Sequence, residues 1–390
     1  MATENNNKTL NVPNLRFPEF GGEWQNVTLS DIVTRVTRKN KNNESRLPLT
    51  ISAQYGLVDQ ISFFNKVVAS ADMSNYYLLK EGEFAYNKSY SSEYPWGAIK
   101  RLDRYPQGAL SSLYICFGIN DNVDSDFLVH YFESSKWHKE VSNIAGEGAR
   151  NHGLLNIAVG DFFNTAHCIP ATIKEQQKIA ALLNLITERI ATQIKIIEDL
   201  KKLKSAISNE IFEHTSNRKC ELKEIASVIM GQSPSSHAYN HDAVGLPLIQ
   251  GNLDIENGQL SPRIYTSEIT QTCECGDVIL TVRAPVGEIA IAQQEACIGR
   301  GVCSIRPHKK ENASLIYQFL QYFKPKWISL EQGSTFTAVS GTDIRGIKVS
   351  IPSTDKIQLL DVYDNKIRVE SRIHTSLTQQ KQYLLAQMFI

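Results

Sequence analysis

The chain is written twice. Leu47-Pro48-Leu49-Thr50, followed by Gly82-Glu83-Phe84-Ala85-Tyr86, returns as Leu246-Pro247-Leu248-Ile249, followed by Gly276-Asp277-Val278-Ile279-Leu280. Each stretch then passes a helical patch ending at a tryptophan (Trp137, Trp327) and a glycine-rich segment. Each closes on Ile-Pro, at Ile169-Pro170 and Ile351-Pro352, before a long heptad-patterned run. A unit of nearly two hundred residues is too long for a solenoid repeat. Two copies of one domain-plus-helix are therefore expected. Two similar modules held apart by helices suit a target that also has two parts, and double-stranded nucleic acid is the commonest such target.

A chain of 390 residues, 42% apolar and 21% charged, has room for two or three domains with their own cores. Formal net charge is zero, which argues against indiscriminate polyanion binding but not against a basic face used specifically. The seven cysteines form no CxxC pair, and Cys273 and Cys275 stand too close for a zinc knuckle. Without a signal peptide or an apolar run near the ~20 residues of a membrane span, reduced thiols in the cytoplasm are expected.

Along the chain, residues 1–22 read as an N-terminal arm. Its part from Asn11 to Trp24 carries prolines and glycines that forbid regular structure, yet Leu15, Phe17, Phe20 and Trp24 need something to pack on. Residues 23–168 read as a first domain, with a strand-like run at 108–118 and one helix over 126–141 aligning Phe127, Tyr131, Phe132 and Trp137. Residues 216–349 form the second, richer in strands (277–283, 288–293, 301–306) and with a helix over 313–323. The fold class is α+β: two similar domains of mixed, mostly antiparallel sheet with short helices, related by a pseudo-two-fold.

The segments 169–215 and 350–390 differ in kind. Thr172 and Glu175 have capping-box spacing. Beyond them, Ile179, Leu183, Ile186, Ile190, Ile197, Leu200, Ile207 and Ile211 keep four-three spacing, broken at Gln193 and Lys204. The second run offers Leu360, Tyr363, Ile367, Leu377, Leu384 and Met388, with Glu370, His374 and Lys381 at seam positions. The economical solution packs the two as an antiparallel coiled coil with a domain at each end. Roughly forty residues at 1.5 Å span about 60 Å, at most ~18 stacked base pairs.

No phosphate loop, dinucleotide fingerprint, HExxH or Asn/Asp-Pro-Pro-aromatic stretch is present, and isolated histidines such as His130 and His138 read as ordinary surface or core residues. Candidates for nucleic-acid contact are loops mixing cations, amides and hydroxyls. In the first domain they are Arg38, Lys39 and Lys41, then Lys88, Ser89 and Tyr90, then Arg150 and Asn151. In the second they are Gln232, Ser233 and Ser235, then Gln250 and Asn252, then Arg283, Arg300, Ser334 and Thr335. A solvated charge run explains residues 38–43 equally well, and an ordinary turn explains 231–235.

The arm Val12-Pro13-Asn14-Leu15-Arg16-Phe17-Pro18-Glu19-Phe20-Gly21-Gly22-Glu23-Trp24 resembles the start of type I restriction-modification specificity subunits. So do Gly231-Gln232-Ser233-Pro234-Ser235, Leu246 to Asn252, Gly276 to Gly287, the stretch from Gly333, and both Ile-Pro boundaries. Glu175-Gln176-Gln177-Lys178-Ile179 is close to the family's helix opening. No single piece is specific; the ordered set is. The resemblance implies two target-recognition domains, each reading half of an interrupted asymmetric DNA site, with the helices as spacer. It further implies two modification subunits that contact the spacer helices and two motor-nuclease subunits. S-adenosylmethionine, ATP and Mg would belong to those partners, with no catalysis, cofactor or metal in this chain. The second helix departs from the pattern, with Thr354-Asp355-Lys356-Ile357-Gln358 in place of a Glu-Gln-Gln run. Two rivals stand beside this reading: an enzyme with an unrecognised catalytic domain, which would methylate or cut DNA alone, and a peptide-binding scaffold, whose behaviour would not depend on salt.

Overall fold

The computed structural model describes residues 10–146, 153–214, 218–327 and 338–390. It divides into two compact units, Met1–Thr192 with Thr375–Ile390, and Gln193–His374.

In the first unit an antiparallel pair, Gln25–Thr28 with Ala166–Ile169, ties the opening of the domain to its closing Ile-Pro. Between them lie two four-stranded sheets. One is antiparallel, in the order Val33–Arg35, Ile115–Ile119, Phe84–Asn87, Ala98–Arg101. The other runs Gly56–Asp59, Pro48–Ser52, Gln107–Leu110, Tyr77–Lys80, with a parallel pairing between its two central strands.

The second unit repeats this plan strand for strand. Lys219–Glu221 pairs with Lys348–Ser350. Ala226–Met230, Val302–Pro307, Val278–Thr281 and Ile289–Ile291 follow the first sheet's order, extended by two short strands. In the other sheet Ile264–Thr266, Leu246–Ile249, Ala296–Ile298 and Thr272–Cys273 keep the order and the parallel pairing at the same place, with a fifth short strand, Tyr239–Asn240, added at the edge beside Ile264–Thr266. The expected α+β class and the duplication both hold.

One physical reason for the shared plan is a turn. Gly82 (φ +83°) and Gly276 (φ +93°) occupy the left-handed region that favours glycine. The acid that follows each closes the turn on a backbone N–H: Lys80 N donates to Glu83 at 2.7 Å, and Glu274 N to Asp277 at 2.9 Å. Each acid also clasps an arginine, Arg38 on Glu83 and Arg306 on Asp277.

The helix expected over 126–141 is two helices, Ser125–Glu133 and His138–Ile144. The Ser134 hydroxyl donates to the Tyr131 carbonyl at 2.6 Å, and the Trp137 indole turns back to donate to the Phe132 carbonyl at 3.1 Å. Folding the chain here buries Trp137 edge-on to Tyr86 and Phe132, which a continuous helix would not allow. The run 108–118 likewise divides into two strands around a turn at Ser111.

The long helices are Ile173–His214 and Thr354–Gln387. In the first unit Ile179, Leu183 and Ile186 share a core with Leu384, Leu385 and Met388. In the second, Ile207 and Ile211 join Ile357 and Leu360. Ile190, Ile197, Leu200, Ile367 and Leu377 are half-buried along the same faces. The polar seam positions find partners: the Gln193 amide donates to Glu370, and Lys204 Nζ meets Asp364 at 2.6 Å. As one helix ascends from 193 to 204 the other descends from 370 to 364, so the pair is antiparallel there.

The arm packs without strand or helix. Leu15 N donates to the Gln387 carbonyl at 3.0 Å. Arg16 Nε and Nη2 reach Glu175 at 2.7 and 2.8 Å, and the buried Trp24 indole donates to the same carboxylate at 3.1 Å. Only half of the expected capping box forms: Thr172 Oγ1 accepts from Glu175 N at 3.3 Å, while the Glu175 carboxylate is turned to the arm. Its neighbour Gln176 accepts from Asp124 N at 2.7 Å and donates to the Pro170 carbonyl at 3.0 Å. The motif at the helix opening thus docks arm, domain and helix together.

Candidate nucleic-acid interface

In the second unit three separate segments meet, and glycine makes the meeting possible. A Cβ on Gly231 would stand 2.1 Å from the Gly299 carbonyl oxygen, and one on Gly301 2.0 Å from the Gln250 carbonyl oxygen. Without side chains the backbones close up: Gln232 N donates to Ile298 O at 2.9 Å, Gly299 N to Ile249 O at 2.8 Å, and Arg300 N to Ser233 Oγ at 3.1 Å. Gln232, Ser233, Gln250 and Arg300, far apart in sequence, thus share one patch, with Gln232 and Arg300 exposed.

The patch is braced from beneath. Asp254, 3% exposed, accepts from Gln250 N at 2.8 Å, Gly251 N at 3.2 Å and Arg263 Nε at 3.0 Å. Asn252 lies in the short turn Asn252–Asp254 that this carboxylate closes. The Gln250 side-chain amide donates to the Tyr239 hydroxyl at 2.8 Å, which fixes its orientation. Ser235 is held by its backbone, donating to Glu268 at 3.1 Å. The sequence reading missed Asp254, Arg263, Tyr239 and Glu268. An acid two residues past a Gly-Asn turn was the available signal, because such acids accept local backbone N–H groups. Arg283 is exposed and bridges to Ala338.

In the first unit the candidates fall into two groups. Arg38 is committed, both oxygens of Glu83 lying 2.7–2.8 Å from its Nη2. Lys39 donates to Asn75 O at 2.8 Å and lies 4.2 Å above the Tyr77 ring, while Lys41 is exposed in the turn Lys41–Asn43. Lys88, Ser89 and Tyr90 run beside residues 153–155: Leu155 N donates to Lys88 O, Ser89 bridges Leu154, and Tyr90 N donates to Gly153 O. Ser89 and Tyr90 are exposed. Arg150, Asn151, Ser334 and Thr335 lie outside the described residues.

Chemically, the second unit's patch offers amides, hydroxyls and a free guanidinium on a rigid base. Bidentate reading of purine edges uses groups of these kinds, a guanidinium for guanine and a side-chain amide for adenine. Nothing in the patch resembles a nucleophile with its base, and no group of three metal-ligating side chains occurs among the described residues. No helix among them is long and apolar enough to cross a membrane.

Comparison with known proteins gives this geometry a context. Residues 217–379 match the family model described as the type I restriction modification DNA specificity domain. A Methanocaldococcus jannaschii chain named as the type I restriction enzyme MjaX specificity subunit is 30% identical over 237 residues, 55% of this chain and 56% of that one. The MjaIX specificity subunit of the same organism is 25% identical over 190 residues, 44% of this chain and 43% of the other. The chain spans about half the length of the curated relatives it matches. Among solved structures, the type I restriction-modification system S subunit from M. genitalium gives a TM-score of 0.62 at 17% identity, covering 97% of this chain and 99% of that one. A chain from a structure of complex assembly and conformational transition in a type I R-M system gives 0.58 at 22%, covering 94% and 97%. These two likenesses speak for the fold. Residues 217–379 are therefore similar to the type I restriction modification DNA specificity domain, and the chain shares the fold of the solved type I restriction-modification S subunit from M. genitalium.

Proposed function

We propose that the chain reads a bipartite, asymmetric site on duplex DNA, each domain docking one half-site in the major groove, and directs adenine methylation and restriction carried out by partner subunits. The observation that carries this reading is the strand-for-strand duplication of a specificity domain in a chain with one uninterrupted 42-residue helix, Ile173–His214. Gln232, Gln250, Asn252 and Arg300 would test base edges in one half-site, each good bidentate contact giving ~1–3 kcal/mol of discrimination. Linking two weak readers by a stiff element makes the second docking intramolecular. Such a helix is roughly 60 Å long and acts as a ruler for the gap.

Partner docking falls to the helices. In the second unit Ile196, Leu203, Val362, Val369 and Ile373 remain exposed on the helical pair, an apolar surface of the kind subunits cover. Catalysis, S-adenosylmethionine, ATP and Mg are assigned to two modification and two motor-nuclease subunits, and the assembly to the cytoplasm.

The test is a methylome. Long-read detection of modified adenines in a host carrying the gene and its partners should give one interrupted motif, absent when the gene is deleted. Arg300→Ala should relax one half-site while leaving the other intact. A motif that is unchanged by the deletion overturns the reading.

A further inference from the structure

The first unit contains a cavity of about 570 Å³ that the reading above does not use. It opens between the sheet-edge strand Ala98–Arg101, the end of helix Ser125–Glu133, and residues 381–386 of the second long helix. Its size lies within the range of small-molecule sites. One wall depends on Gly97, whose φ of +76° and whose Cβ, 2.1 Å from the Asn87 carbonyl oxygen, would exclude any other residue.

The charges lining it do not balance. Glu133 is engaged twice, with Lys381 Nζ at 2.9 Å and His130 Nδ1 at 3.2 Å. Burial alone would raise its carboxyl; the His130 contact and the two lysines hold it at about 2 instead. Lys100 is half-buried on the cavity wall, and its ammonium makes no hydrogen bond or ion pair among the described residues. Burial pushes its ammonium down, Glu133 pulls it back, and Lys381 opposes. His138, 4.6 Å from the Trp137 ring, is pushed below its ordinary value by burial and stays neutral near pH 7. Glu93 stands exposed at the rim, in water. Two ammonium groups therefore face one committed carboxylate, and one half-buried positive charge is left over. Burying an unmatched charge is costly unless something of opposite sign joins it.

We propose that this cavity binds a small free oxoanion, a carboxylate or phosphate monoester, whose charge Lys100 balances. Gln54, Gln382 and Ser135 line the same space and offer neutral donors to the remaining oxygens.

Isothermal titration of the full chain with inorganic phosphate and with acetate, against chloride at matched ionic strength, tests this. One site is expected. Lys100→Met should weaken it by about tenfold or more, the loss of one charge-assisted hydrogen bond. Glu133→Gln should do the opposite, because it releases Lys381 to the cavity and strengthens binding. Thermal unfolding of each variant confirms that it folds; a merely structural defect would weaken binding in both. No heat with either anion, equal affinity in Lys100→Met, or weaker binding in Glu133→Gln overturns the proposal. A final arm repeats the phosphate titration with saturating duplex DNA. Unchanged affinity supports a free ligand, whereas competition means that the cavity takes a backbone phosphate and the proposal fails.

Discussion

At equivalent places the two domains solve the same packing problem with different side chains. In the first, Phe84 opposes Phe117 across neighbouring strands, rings stacked at 5.5 Å and 3°. In the second the same register pairs Val278 with Ile305. Six residues past each Ile-Pro, the first domain buries Glu175 under its arm and the second buries Ile357. Two residues before each isoleucine stand buried His167 and buried Val349. Strand order and register survive all three exchanges. The glycine turn and the ladder set the plan, and the core need only fill its volume.

The largest effect should come from the aromatic stack. Phe117→Ala removes a ring that also meets Phe132 at 6.1 Å and Phe162 at 6.2 Å, and should cost about 4 kcal/mol. Ile305→Ala, its counterpart, should cost about 3 kcal/mol. Hydrogen exchange mapped to each unit should show each loss confined to its own domain. Equal costs would mean that the aromatic filling adds nothing to the shared plan.

The Glu175–Ile357 difference is sharper in kind. Glu175→Ile takes the counter-charge from the Arg16 guanidinium, 12% exposed, which keeps only the Gly21 and Gly22 carbonyls, and orphans the Trp24 N–H, and should cost about 3 kcal/mol. Ile357→Glu puts a carboxylate into an apolar cluster with no arm to receive it, at a similar cost of about 3 kcal/mol. Grafting each residue into the other site thus harms both. Limited proteolysis of the arm should accelerate in the first variant alone; protection unchanged there would break the assignment of Glu175 as the arm's anchor.

These contrasts explain what the sequence disclosed. The duplication, the sheet-rich domains and the apolar seam were legible because they rest on turn residues and on periods of two and three-and-a-half. The break after Glu133 was not, because Phe127, Tyr131, Phe132 and Trp137 keep helical spacing while Trp137 folds back. Nor was the work of Glu175, whose partners lie 151 and 159 residues away. At the interface, Gln232, Gln250 and Arg300 were recognisable as types, but their meeting depends on two glycines at close backbone approach, Gly231 and Gly301. Arg38 looked free in the sequence because Glu83, which holds it, is 45 residues on.

The smallest effect separates the domains by acid. His167 Nδ1 accepts from the Tyr131 hydroxyl and its Nε2–H donates to the Thr165 hydroxyl, each at 2.8 Å, and burial lowers its pKa to about 4. An unfolded histidine titrates near 6.5. The folded value is the lower one, so the stability it permits is complete above pH 6.5 and drains as pH falls toward 4. At pH 5 the loss should be about 2 kcal/mol. Val349, at the matching place, has no proton to gain. Opening free energies from hydrogen exchange, corrected for intrinsic rates at each pH, should fall between pH 7 and 5 for the pair Gln25–Thr28 and Ala166–Ile169. They should hold steady for Lys219–Glu221 and Lys348–Ser350. His167→Gln keeps both hydroxyls partnered and removes the titration, so it should flatten the first domain's profile. A profile that still falls in that variant would assign the acid sensitivity elsewhere and leave His167 as packing alone.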